Sequence, residues 1–219
     1  QAGPVAGSQT RLLGNPDMTS EKLMAYEIGV QMRPLNRVSV SVATFYNVYD
    51  DLRATSALPV QPGVPVIFPA TDNNAMTGES LGFEIGPVWQ VTDRWRLQAS
   101  YTFFEMALHA KPGRALATSE SAEGTAPRQQ FSLRSSLDLP RHWQLDAGIR
   151  YVDGLPALGV PAYLVTDVRL AWQATKDFEF SVVGQNLMDR SHFEYVSSFV
   201  KAAPVEIQQS VYAQVVWRF

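Results

Sequence analysis

The sequence predicts an all-β fold: part of an antiparallel, up-and-down transmembrane β-barrel, about nine strands of it. Three observations carry this expectation. Apolar residues alternate with polar ones in segment after segment, the period of a strand with one apolar and one wet face. The connections alternate between about three to five residues and longer loops, the pattern of barrels with tight turns at one end. All five tryptophans, Trp89, Trp95, Trp143, Trp172 and Trp217, lie beside a short turn or the final residue. The indole ring prefers the membrane boundary, where its body is covered and its N–H stays wet.

Taken in order, residues 1–20 are rich in Gly, Pro, Ser and Asn without a period and are expected to be loop. From residue 21 to 33, Met24, Tyr26, Ile28, Val30 and Met32 share one parity, and Pro34 to Arg37 form a turn. Val38, Val40, Val42, Thr44, Tyr46 and Val48 define the return strand to about Leu52. Residues 53–77, with their prolines and an Asp-Asn-Asn cluster, are expected to be a long loop. Leu81, Phe83, Ile85, Trp89 and Val91 make the next face. Trp95, Leu97, Ala99, Tyr101 and Phe103 make the one after. A second long loop is expected over 106–126. Strands follow at 129–139 and 143–151, then around Thr166 to Trp172 and Phe178 to Val182. A last long loop over 188–207 leads to the terminal strand, where Val211, Ala213, Val215, Trp217 and Phe219 alternate with mostly polar residues.

Nearly every charge inside these strands sits on the polar parity. Arg96, Arg134, Asp146, Arg150, Asp167, Arg169 and Glu179 are therefore predicted to face the lumen. A charge facing hydrocarbon at mid-depth costs about 2–4 kcal/mol, so the lipid face excludes them. Val40, Val42, Leu97, Ala99, Leu133, Ala147, Ile149, Leu170, Phe180 and Val215 are predicted to face lipid. The opposite charges of Asp146 and Arg150, and of Asp167 and Arg169, are spaced for pairing between neighbouring strands.

Composition narrows the chemistry. The chain has 219 residues and a net charge of −3, which gives no electrostatic case for nucleic acid. It has no cysteine, excluding disulfides, thiolate metal sites and thiol catalysis. No apolar run is long enough for a membrane-crossing helix. The histidines His109, His142 and His192 lack metal-ligand spacing, so neither metal nor cofactor is expected. Gly78-Glu79-Ser80-Leu81-Gly82 matches a nucleophile-elbow pattern, but it opens a strand rather than a strand-turn-helix bend, which argues against a catalytic serine. Ser198-Phe199-Val200-Lys201 lacks partner motifs. Asp50-Asp51 reads as a solvated rim at a strand end. No enzyme is expected.

Four segments resemble the TonB-dependent outer-membrane receptors: Asn15-Pro16-Asp17-Met18-Thr19-Ser20-Glu21-Lys22 with Ala25-Tyr26-Glu27-Ile28-Gly29, Phe45-Tyr46-Asn47-Val48-Tyr49-Asp50-Asp51-Leu52, Gly184-Gln185-Asn186-Leu187-Met188-Asp189-Arg190, and the Arg218-Phe219 ending. The resemblance implies that residues 21–219 are the carboxy-terminal barrel segment of such a receptor, without its plug domain, in a bacterial outer membrane. It implies energised uptake of a scarce nutrient such as an iron–siderophore complex. The partners it implies are membrane lipid, a plug domain and TonB in the full-length parent, the barrel-assembly machinery and a small metal chelate. The alternatives are a passive porin, an adhesin translocator barrel or a soluble β-sandwich binding module. For an acidic chelate, cations and aromatics of the external loops are the expected ligand contacts: Tyr49, Arg53, His109, Lys111, Arg114, Arg128, Tyr163, His192 and Lys201. Val215, Trp217 and Phe219 are the expected assembly signal.

Overall fold

The computed structural model describes residues 7–63, 65–112, 117–197 and 203–219. Twelve strands occur among them: β1 (Ser8–Leu13), β2 (Lys22–Leu35), β3 (Val38–Ala57), β4 (Val66–Thr92), β5 (Trp95–Ala110), β6 (Gln129–Leu139), β7 (Trp143–Val152), β8 (Tyr163–Gln173), β9 (Phe178–Gln185), β10 (Ser191–Phe193), β11 (Glu206–Gln208) and β12 (Ser210–Trp217). The hydrogen-bonded order is β12-β9-β8-β7-β6-β5-β4-β3-β2, each strand beside its sequence neighbour apart from the small β10–β11 pair inserted before β12. This is the expected meander of nine strands, with β2 and β12 at its two ends.

Four expectations need correction, the first being the loop over 106–126: residues 106–110 continue β5 and residues 117–125 form a 3-10 helix. Residues 8–13 are strand rather than loop, and pair in parallel with Val66–Thr71 of β4. Residues 53–57 and 66–77 are strand as well, leaving only 58–65 as the connection. Polar residues hide this extension from the alternation, but their side chains bond across the ladder: Thr55 Oγ1 donates to Asp72 Oδ1 at 2.8 Å and Asn73 Nδ2 to Ser56 Oγ at 2.7 Å. The expected last loop, 188–207, contains the antiparallel β10–β11 pair.

The chain separates into two compact units. One comprises residues 1–26, 45–81 and 105–123. Its buried core is small, formed by Ala54, Ala75, Met76 and Leu108 with Leu52 and Met106 packed on it. The other comprises residues 27–44, 82–104 and 124–219 and holds the regular ladders.

In this second unit the register fixes which residues share a face. Ala99 lies opposite Leu133, Leu133 opposite Ile149, Ala147 opposite Val168, Leu170 opposite Val182, and Phe180 opposite Val215. Arg96 lies opposite Ser136, Ser136 opposite Asp146, and Asp146 opposite Arg169. Facing residues of a ladder project to the same side, so β5–β9 and β12 carry an apolar face and a charged face. Large side chains on the apolar face stay open, Val182 at 53% and Val215 at 59% exposure. A soluble domain would cover such a row.

Tryptophans mark the short-turn end of the apolar face. Trp143 stacks on Trp172 at 5.8 Å between ring centroids, Trp172 on Phe180 at 6.2 Å, and Phe178 on Trp217 at 5.8 Å. Trp95 Nε1 donates to Ser135 Oγ at 2.9 Å.

Candidate functional site

Three groups of residues are candidates, each within one unit: the strand ends of the first unit, and the charged face and the junction that follows β9 in the second. The charged face is a ladder of ion pairs. Arg169 reaches Asp146 at 3.2 Å and also binds Glu179, which in turn meets Arg218 at 3.4 Å. The adjoining groove of about 330 Å³ is lined by Arg96, Arg134, Ser136, Asp146, Asp167 and Arg169 among others. The pairing differs from the spacing argument in one respect. Arg150 binds Glu194 at 2.9 Å, and Asp167 accepts from the backbone N–H of Asn186 at 3.0 Å.

In the first unit the Asn15–Lys22 segment is a strap bonded to β3 and β4. Asn15 Nδ2 donates to the carbonyl of Asp72 at 2.9 Å, and Asn15 Oδ1 accepts from the N–H of Asp17 at 3.0 Å. Thr19 and Asn74 exchange two bonds, at 2.7 and 3.0 Å. Glu21 Oε1 accepts from the N–H of Arg53 at 2.7 Å. Lys22 Nζ meets Asp51 Oδ2 at 2.7 Å, and Lys111 Nζ meets the other oxygen of Asp51 at 2.9 Å. The strap motif and the strand-end motif are thus two halves of one contact.

β3 is 20 residues long and β4 is 27. A tilted strand crosses a bilayer in about 9–11 residues, so their long-loop halves lie beyond it. There the Lys22 ammonium, and after it that of Lys111, hold the Asp51 carboxyl down to about 2. The N–H of Asp51, then Lys111, lowers Asp50, and the Thr55 hydroxyl, then Arg53, lowers Asp72. Lys22 and Lys111 are raised in return, each chiefly by its hydrogen bond to Asp51. Asp51 sits at φ +56°, a left-handed position that aspartate tolerates better than most residues. Asp50 fits the expected rim, more than half exposed, whereas Asp51 is a partly covered ion-pair hub.

The nine expected ligand contacts fall in both units. In the first, Tyr49 shares a hydrogen-bonded cluster with Ser80: its hydroxyl lies 3.3 Å from Ser80 Oγ, and Asn47 Nδ2 donates to the same oxygen at 3.2 Å. Ser80 is 2% exposed, a buried anchor rather than an open nucleophile. Arg53 pairs with Asp72 at 2.6 Å, Lys111 is bound by Asp50 and Asp51, and His109 is exposed. In the second unit Arg128 is exposed, whereas His192 is buried and stacks on Tyr163 at 4.4 Å. Arg114 and Lys201 lie outside the described residues. No cluster of His, Cys, Asp or Glu suited to a metal ion occurs among the described residues.

The junction after β9 was not expected as a site. Asn186 is 1% exposed, at φ +54°, and its amide Nδ2 lies 3.3 Å from both His192 Nδ1 and the carbonyl of Ile207. A Cβ on Gly184 would come within 2.8 Å of the Leu187 side chain, so glycine lets Leu187 fold back against the strand. The sequence signal for this junction was the Gly184–Arg190 motif itself.

These features coincide with those of a known family. The family model "TonB dependent receptor-like, beta-barrel" matches residues 1–187, and the chain belongs to that family of outer-membrane receptors. It is 25% identical over 201 residues to the pesticin receptor of Yersinia pestis, covering 88% of this chain and 28% of the relative. It is 23% identical over 219 residues to the probable TonB-dependent siderophore receptor PiuA of Acinetobacter baumannii, covering 92% and 28%. The solved ferric-catecholate import receptor Fiu of Escherichia coli K12 superposes with a TM-score of 0.70 at 19% identity, over 92% of this chain and 28% of Fiu, and shows the shared fold. The chain spans about 28% of the length of these relatives.

Proposed function

We propose that this chain is the carboxy-terminal wall of a receptor that imports an iron–siderophore complex across the outer membrane. The observation that carries the reading is the pairing of an uncovered apolar face with a charged, grooved face on the same strands. The first suits lipid, the second a wet lumen and the plug of the full-length receptor. The short turns then lie on the periplasmic side and the long connections outside. Import is driven through TonB and needs no covalent chemistry from this wall. Similarity to PiuA, a probable siderophore receptor, and to Fiu, a ferric-catecholate import receptor, supports an iron chelate as cargo. Of the proposed external contacts, His109 and Arg128 are exposed, whereas Arg53 also holds the strap and Lys111 is bound by Asp50 and Asp51.

The test is uptake of radioactive iron, supplied as a catecholate chelate, by cells expressing the full-length receptor. Import that requires both receptor and TonB, with surface binding kept when TonB is deleted, supports the reading. Import that continues without TonB identifies a passive pore.

A further inference from the structure

We infer that Asn186 is a positioning residue: a clasp that holds the β10–β11 pair, and thereby the base of the last long connection, against β8 and β9. The role of that connection in ligand capture rests on the function proposed above; the clasp itself does not.

Asn186 joins three elements through one buried residue. Its backbone N–H donates to Asp167 on β8 at 3.0 Å. Its side-chain amide faces His192 of β10 and Ile207 of β11, which are themselves opposite one another in the two-stranded ladder. With the amide N–H as donor, His192 Nδ1 is the accepting nitrogen and Nε2 points toward Glu194, 3.5 Å away. The ring is held from its face by Tyr163, over which Arg150 lies at 5.7 Å while binding Glu194 at 2.9 Å. Asp189 Oδ2 lies 3.6 Å from the same Nδ1 that faces the Asn186 amide. Gln209 closes the base, its side chain donating to the carbonyl of Leu187 and its N–H to that of Arg190.

The ladder held in this way has only three residues on each strand. An isolated two-stranded ribbon is marginal in water even when longer, so β10–β11 depends on the contacts at its base. Asn186 supplies the central one. Its left-handed backbone turns the chain out of β9, and its amide reaches both strands. Asparagine suits this position because its short side chain can bond locally and it tolerates positive φ. The arrangement also gives His192 a use other than ligand contact. Burial and the stacked Tyr163 make it the wall against which the amide rests.

The experiment uses the full-length receptor in detergent and measures amide hydrogen exchange peptide by peptide in wild type, Asn186→Gly and His192→Phe. Glycine accepts the left-handed backbone and removes the whole side chain with its amide, while phenylalanine keeps the stack on Tyr163 and removes the acceptor. Exchange over residues 191–193 and 206–208 is expected to accelerate about tenfold or more in Asn186→Gly, the scale of one lost hydrogen bond. A smaller acceleration is expected in His192→Phe. The β6–β7–β8 ladder should keep wild-type protection in both. Unchanged exchange in β10–β11 overturns the clasp, and so does equal acceleration across β6–β9, which would make Asn186 a general stabiliser of the wall. A second readout is uptake of an iron(III) tris-catecholate. The half-saturating concentration should rise in Asn186→Gly at unchanged maximal rate, and a fall in maximal rate at unchanged half-saturation contradicts the positioning role. If the wild-type receptor ignores this chelate, the proposed cargo fails while the exchange measurement still decides the clasp.

Discussion

At the residue scale, Lys22, Asp51, Arg53, Asp72 and Lys111 at the long-loop ends of the first strands are committed to structural ion pairs. Asp51 binds two lysines and sits at a left-handed position, so Asp51→Asn should loosen the Lys22 end of the strap, seen as faster amide exchange near Lys22, while the bonds of Asn15, Thr19 and Glu21 remain. The pH dependence follows from the same contacts. The folded carboxyl titrates at about 2, below its ordinary value of 3.8. Its contribution is therefore complete above the ordinary carboxylate range and is lost as pH falls through about 2. Protection at the Lys22 end of the strap should stay flat from about pH 5 to about pH 10, fall in strong acid, and fall again in strong base as the raised Lys22 and Lys111 ammoniums lose their protons. Gly184→Ala offers a packing test. The added methyl meets the tip of the partly buried Leu187 side chain, which can shift, so the cost should lie at the low end of overpacking, about 1 kcal/mol, measurable as a lower midpoint of denaturant unfolding.

At the scale of elements, legibility followed the lipid. Where a strand has one face in hydrocarbon, its apolar parity is enforced, and β5–β9 and β12 were readable because Leu97, Ile149 or Val215 could be nothing else. Beyond the bilayer both faces are wet and the parity disappears. The long-loop halves of β3 and β4 were hidden because Thr55, Ser56, Asp72 and Asn73 satisfy one another across the ladder rather than packing apolar surface. Strand β1 was hidden for a related reason: its pairing with β4 is a contact distant in sequence that no local period announces. The candidate contacts were chosen by chemical type and by loop position. His192 fitted both criteria, yet its ring is buried by Tyr163, a neighbour that the sequence spacing does not reveal. The aromatic band gives a test at this scale. Trp143→Ala should cost about 0.5–1.5 kcal/mol beyond lost burial, because it also breaks the stack with Trp172, and the Trp143→Ala, Trp172→Ala double-mutant cycle measures that part.

At the scale of the whole molecule, the claim on which the rest depends is that the two faces of one sheet live in different solvents. The sequence contains no cysteine, so single cysteines introduced into a cysteine-free full-length receptor report each position cleanly. The informative comparison pairs Ala147→Cys and Val215→Cys on the apolar face with Ser132→Cys and Gly148→Cys on the charged face. In intact outer membranes, the first pair should react with a lipid-soluble maleimide and resist a charged, water-soluble one. The second pair should react with the water-soluble reagent once the plug is displaced by denaturant too mild to unfold the barrel. Labelling of the apolar-face pair by the water-soluble reagent to the same extent as the charged-face pair, once the plug is displaced, would contradict the account, because the apolar face would then stand in water.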